Sequence, residues 1–305
     1  MKTRLAWLAA VALLGASLPA RAYVDTRTSS GTAVRWQVRC IAMSPDARGD
    51  QSGDSITNDD ITSSLQAAID TWNTSLQTCS AMQLSLNPAT QVLGVVSDGR
   101  PAVVFTSDNW SHDAAAIAVT TVWYANHAGD PTDGQISDAD IELNAVNYTF
   151  TTTPTTAVAR PNTSVADLQN TLTHELGHVM GLAHTCWDHT AGEPTAPPDN
   201  TGAPAPDCDL YPDLPAKVTT ATMYPYTMMP GAINMRIVGP DDLQGICDAY
   251  PNTGTEMACY GYIQSTGCQY SLSRTPRTAV VGLLFTSTLL LFAVATWRAR
   301  RRRRA

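Results

Sequence analysis

The stretch THELGHVMGLAHT, Thr173 to Thr185, constrains this chain more than any other. It holds three of the six histidines, and a glutamate directly follows the first of them. His174 and His178 stand at i and i+4, so on a helix both rings project from one face and can reach one ion. Gly181 comes three residues after His178, and glycine accepts the positive φ that stops a helix. The chain can then turn back and bring in His184 from outside the helix. A fold for this sequence has to deliver a helix, a tight stop and a returning segment to one point.

Three neutral histidines and one open position describe a catalytic zinc site, whereas a structural site is closed by a fourth protein ligand. Zinc accepts tetrahedral nitrogen ligands without redox chemistry. It lowers the pKa of a bound water toward about 7 and polarises a carbonyl. Glu175 is then placed to take the proton and pass it to a leaving amine. The bland alternative is a helix that merely carries core or solvated histidines. It leaves the agreement of five residues at these spacings unexplained.

Both ends of the chain read as addresses. Residues 1–22 have a basic start, the apolar run LAWLAAVALLGASLPA and the small-residue site ARA, which is the pattern of a cleaved secretory signal. Residues 278–297, TAVVGLLFTSTLLLFAVATW, carry no charge and are long enough to cross about 30 Å of hydrocarbon as a helix. Residues 298–305 then add six arginines, which predicts a cytoplasmic tail and a body outside the cell. The formal net charge of −8 hides the resulting asymmetry. Eleven of the 19 cations lie in the first 22 and last 32 residues, leaving 8 against all 27 acids in between. So acidic a body is repelled by the phosphates of nucleic acid, and no nucleic-acid partner is expected.

Seven cysteines in an exported chain predict three disulfides and one thiol left over. Neighbour pairing is the simplest connectivity: Cys40–Cys79, Cys186–Cys208 and Cys247–Cys259. Six cysteines allow fifteen pairings, so the choice stays open. Cys268, in a Ser/Thr/Gly-rich stretch, is the odd one.

The body, residues 23–250, alternates strand and helix patterns. AVRWQVRC (Ala33–Cys40) alternates as a half-buried strand does. A helix is predicted over Asn58–Ser75, with Ile61, Leu65, Ala68, Ile69 and Trp72 at helical spacing. SAMQLSLN, PAVVFTS and AAIAVTTVWY are strand candidates. In ISDADIELNA, Asp138, Asp140 and Glu142 at i, i+2 and i+4 share one face of a strand. They are either the charges of a solvated edge or candidate calcium ligands. A second helix is predicted from about Ser164 to Met180, opened by Ser164 and Asp167, with Val165, Leu168, Leu172, Leu176 and Val179 as its apolar stripe. Thr185 to Thr222 is a 38-residue irregular segment with seven prolines, which a Cys186–Cys208 bridge would pin. A short helix at GPDDLQGICDAY closes the body, and residues 251–277 form a linker. The expected fold is α+β: one twisted mixed sheet packed on the histidine-bearing helix and a second long helix, plus the C-terminal membrane helix.

HELGHVMGLAH resembles the zinc motif of the metzincin metalloproteases, and its flanks resemble the matrixin branch. The resemblance runs from about Val34 to Tyr250. It implies one catalytic zinc on His174, His178 and His184, with Glu175 as general base. It implies a methionine turn in ATMYPY, with Met223 beneath the histidines. It also implies a closing helix whose Asp241 and Asp242 tie it to the body and to that turn. GQISDADIELN is similar to the edge strand that pairs with the substrate backbone. A specificity pocket is implied near Pro225 and Tyr226, and calcium between the strands. The family's structural zinc has no counterpart here, because His112 and His127 lack the His-x-Asp spacing. Those two and His189 read as surface histidines. The family's propeptide cysteine is not visible before the first strand, and Cys40 lacks its surrounding pattern.

The tail resembles the MYXO-CTERM sorting tails of myxobacterial surface proteins, with a Gly-Cys, an apolar span and a terminal arginine cluster. That likeness implies processing by a sorting protease near Cys268 and membrane tethering until then. The expectation is an exported zinc endopeptidase, secreted or displayed at the cell surface, acting on protein or peptide substrates. A zinc-containing surface adhesin on the same scaffold, no longer cutting, is the alternative.

Overall fold

The computed structural model describes residues 23–189 and 194–253. In chain order these form β1 (Cys40–Pro45), α1 (Asn58–Leu76), β2 (Gln83–Leu86), β3 (Ala102–Thr106), β4 (Ala118–Tyr124), β5 (Ile136–Asn144), β6 (Tyr148–Thr151), β7 (Ser164–Asp167), α2 (Leu168–Val179), α3 (Ala216–Thr219) and α4 (Pro240–Ala249). Single 3-10 turns occur at Cys208–Leu210 and Asn234–Arg236. The architecture is α+β with a mixed sheet. The signal segment, Cys259, Cys268, the apolar span and the arginine tail lie outside the described residues. Among the described residues no helix is long and apolar enough to cross a membrane.

Five strands make the main sheet in the order β2-β1-β3-β5-β4. β2, β1, β3 and β5 run parallel, and β4 lies antiparallel to β5 at the edge. One face of the sheet carries Ile41, Met43, Val103, Phe105, Ala139, Ile141 and Leu143 into the core. α1 and α2 pack there with Leu65, Trp72, Leu172 and Leu176. β6 and β7 form a separate parallel pair that leads into α2.

The start of α1 is local chemistry. Thr57 Oγ1 accepts from the Asp60 N–H at 3.1 Å while the Asp60 carboxylate accepts from the Thr57 N–H at 2.9 Å, a reciprocal capping box. Ile61, Leu65, Ala68, Ile69 and Trp72 then fall on the buried face, as the spacing predicts. The Trp72 indole N–H donates to the Thr173 carbonyl at 2.8 Å, fixing α1 against the helix that carries the histidines.

Three expectations need correction. Ala33–Cys40 is not a strand, and pairing into the sheet begins at Cys40. The Trp36 indole instead donates to the Val179 carbonyl at 2.7 Å, and the Trp36 N–H donates to the Tyr250 hydroxyl. The segment therefore crosses the end of α2 and meets the sheet only at a single bridge, where the Ile136 N–H at the start of β5 donates to Arg35 O at 2.9 Å. Residues 164–167 are a strand rather than the first turn of α2. β-Branched Thr149 and Val165 pair there, and Asp167 alone caps the helix, accepting from the Asn170 N–H at 2.8 Å. β5 is not an edge either, since it lies between β3 and β4.

The disulfides also differ from neighbour pairing. Cys186–Cys208 is present, but Cys79 pairs with Cys247 across 168 residues. Cys40 is disulfide-bonded, though not to Cys79. Cys79 follows the end of α1 and Cys247 lies in α4, so the bond joins two elements that pack together. Proximity in the fold, not in sequence, selects the partner.

Candidate metal centre

α2 supplies His174 and His178 from one face, and its end supplies the turn. Gly181 has φ of +99°, and a Cβ there would run into the Val34 carbonyl oxygen at 2.5 Å. The returning chain is held by the N-terminal segment. Thr26 N–H donates to Gly181 O at 3.0 Å, and Ala183 N–H donates to Val24 O at 2.9 Å. His184 thereby arrives opposite the helix, as the sequence predicts.

The three rings converge through their Nε2 atoms. His184 Nε2 lies 3.3 Å from His174 Nε2 and 3.1 Å from His178 Nε2. The Nδ1 atoms face outward, each onto an oxygen: Thr222 O at 2.6 Å, Leu182 O at 2.8 Å and Asp188 Oδ2 at 2.7 Å for His174, His178 and His184. Carbonyls and carboxylates only accept, so each Nδ1 carries the proton. In neutral rings each Nε2 is then left as an acceptor aimed at the other two. Three acceptors meeting in this way are a site for a shared cation. Ligands about 2.0–2.1 Å from a tetrahedral zinc stand roughly 3.3 Å apart, and the two distances from His184 are of that size.

Electrostatics supports neutral rings for His174 and His178. Burial holds His174 down at about 3, with His184 adding to the effect, and pushes His178 well below the ordinary histidine range. Glu175 is buried beside them. Burial raises its carboxyl to about 7, against the lowering effect of a hydrogen bond from Thr120 and the field of His184. Thr120 Oγ1, on the edge strand β4, donates to Glu175 Oε2 at 2.6 Å.

Met223 is buried beneath α2. A Cβ on Gly177 would collide with its sulfur, so glycine at that position lets the helix settle on the methionine. The turn is fixed from α4: Thr222 N–H donates to the buried Asp242 carboxylate at 2.6 Å, and Met223 N–H does so at 3.4 Å. Thr222 is also the residue whose carbonyl orients His174, so α4, the turn and the first ligand form one chain of contacts.

Asp138, Asp140 and Glu142, the candidate calcium ligands, all lie on β5 and accept hydrogen bonds within the protein. Asp138 accepts from the N–H groups of Asp98 and Gly99 at 2.8 and 2.7 Å, and Asp140 from those of Val96 and Ala102 at 2.9 Å each. Both are fully buried. They tie down the segment that precedes β3. Glu142 accepts from Thr106 Oγ1 at 2.8 Å. His112 lies at the surface near Glu142, 3.5 Å away.

His189 is exposed as expected, yet it has company. Its Nε2 lies 3.0 Å from Asp207 and 3.8 Å from Asp209, and its ring stacks on Trp187. Near the methionine turn a cavity of about 380 Å³ is lined by Asp209, Tyr211, Tyr224, Tyr226, Thr227 and Met228.

The sequence reading missed three contributors. Thr120 lies 55 residues from Glu175 in sequence, and no local pattern links them. Gly177 sits inside the motif but reads there only as a small residue. Asp188 stands four residues after His184, a spacing that does signal a partner once His184 is taken as a ligand.

No family model matches this chain, and no curated protein matches it.

Proposed function

We propose that this protein is an exported zinc-dependent endopeptidase. The observation that carries the reading is the meeting of three Nε2 atoms, with that of His184 3.3 and 3.1 Å from those of His174 and His178, beside a buried carboxylate from the adjacent residue of the same helix. His174, His178 and His184 would hold the metal. When bound, zinc supplies Lewis acidity, polarising a peptide carbonyl and acidifying a water.

The chain's own residues supply the rest. Glu175, raised to about 7, matches the basicity a proton acceptor needs near neutral pH. Thr120 holds that carboxylate in one orientation. Among the described residues no strand pairs with the outer side of β4. An extended peptide can add there as a further strand, which moves the substrate-pairing role from β5 to β4. The cavity beside Tyr224 and Tyr226 is suited to one substrate side chain.

The secretory pattern of residues 1–22 supports export. The span at 278–297 with its arginines supports a membrane tether until processing near Cys268. Glu175→Ala should keep zinc and lose cleavage of a casein substrate, and a zinc chelator should abolish wild-type cleavage. Cleavage that survives both treatments would contradict the reading.

A further inference from the structure

We infer that Asp188 is a positioning residue for the third metal ligand, and that the disulfide-pinned segment after His184 exists to hold it there. The inference rests on the zinc reading and adds a residue to it. His174 and His178 are oriented by main-chain carbonyls of the turn and of the helix stop. His184 alone is oriented by a side chain, with its Nδ1 2.7 Å from Asp188 Oδ2. His184 is also the ligand outside α2, so no helix fixes its ring. A carboxylate on the far nitrogen sets the tautomer and ring direction and makes the metal-facing nitrogen more basic.

The segment around Asp188 is built for this. Thr185 is buried, and its N–H donates to Met223 O at 3.0 Å. Cys186 is bonded to Cys208. Trp187 N–H donates to Pro206 O at 2.8 Å, and Cys208 N–H donates to Trp187 O at 3.0 Å. Three consecutive residues are therefore anchored before the chain reaches Asp188, whose side chain is only 9 % exposed. These anchors deliver one carboxylate to a fixed place.

The test is zinc affinity of the full exported protein, by competition with a chromogenic chelator, in wild type, Asp188→Ala and Asp188→Asn. Loss of a partner of this kind weakens metal binding by about 10- to 100-fold. The expected result is a loss of that size in Asp188→Ala, with the metal-free protein melting where wild type does. Asp188→Asn, which keeps the shape without the charge, should fall between the two and carries the test if the alanine variant does not fold. The visible spectrum of the cobalt-loaded variants should differ from wild type, because it reports ligand geometry, which a merely structural aspartate would leave alone. Variants that hold zinc as tightly as wild type and share its cobalt spectrum would overturn the inference and leave the zinc reading standing. A wild type that binds no zinc would overturn both.

Discussion

Gly177 and Met223 occupy one space: a β-carbon at position 177 would overlap the methionine sulfur. Gly177 lies between the two histidines of α2, so the helix that carries His174 and His178 rests directly on Met223. On helix propensity alone, Gly177→Ala should stabilise α2 by about 0.8–1 kcal/mol. Overpacking in a buried site costs about 1–3 kcal/mol, which outweighs that gain. The variant should melt lower than wild type and cleave more slowly. A higher melting temperature with unchanged cleavage would show that the methionine moves aside freely.

Thr120 supplies Glu175 with a hydrogen bond across the gap from the edge strand to the helix. A hydrogen bond to a charged group contributes about 1.5–3 kcal/mol. Thr120→Val keeps the shape and removes the donor, so kcat/KM should fall by roughly 10- to 100-fold. Zinc content should not change, because the Thr120 hydroxyl donates to Glu175 and not to a histidine of the trio. Steady-state kinetics with metal analysis on the same sample checks both halves of the statement.

Asp242 gives a pH dependence with a definite sign. Burial pushes its carboxyl up to about 7 from an ordinary value of 3.8, opposed by the N–H groups of Thr222 and Met223. The folded protein therefore binds more protons than the unfolded one between about pH 4 and 7, and this group's contribution to stability is lost as pH rises through that window. Asp140, raised to about 7 by burial, acts in the same sense. Asp242→Asn cannot ionise. The melting temperature of the variant relative to wild type should climb from pH 4 to pH 7. A flat difference would place the Asp242 pKa near its ordinary value and a falling one below it, and either would contradict the burial effect.

The Cys79–Cys247 bond closes a loop of 168 residues and ties the end of α1 to α4. Replacing both cysteines by alanine should lower stability by about 2–4 kcal/mol, mainly through the freed unfolded chain. Peptide mapping without reduction should recover the Cys79 and Cys247 peptides as one species. Recovery of Cys79 linked to Cys40 would restore the neighbour pairing.

How much of this was legible in the sequence depended on the range of the interaction. Helix α1 is legible because its apolar stripe of Ile61, Leu65, Ala68, Ile69 and Trp72 repeats locally. The histidine cluster was readable because one helical turn and one glycine fix the geometry of His174, His178 and His184. Ser164–Asp167 was misread because β6 pairing overrides the local capping signal. The acids of β5 were read as facing solvent or an ion, since nothing in the strand reveals that N–H groups from residues 96–102 will meet them. Cysteine partners and the Thr120–Glu175 contact are set by the three-dimensional arrangement alone.

The most direct test is the zinc content of the purified protein, measured by elemental analysis alongside His178→Ala and His184→Ala. The account predicts one zinc per wild-type chain, with the ion lost or greatly weakened in each variant while the body remains folded. A folded wild type that takes up no zinc from a buffered excess would contradict it.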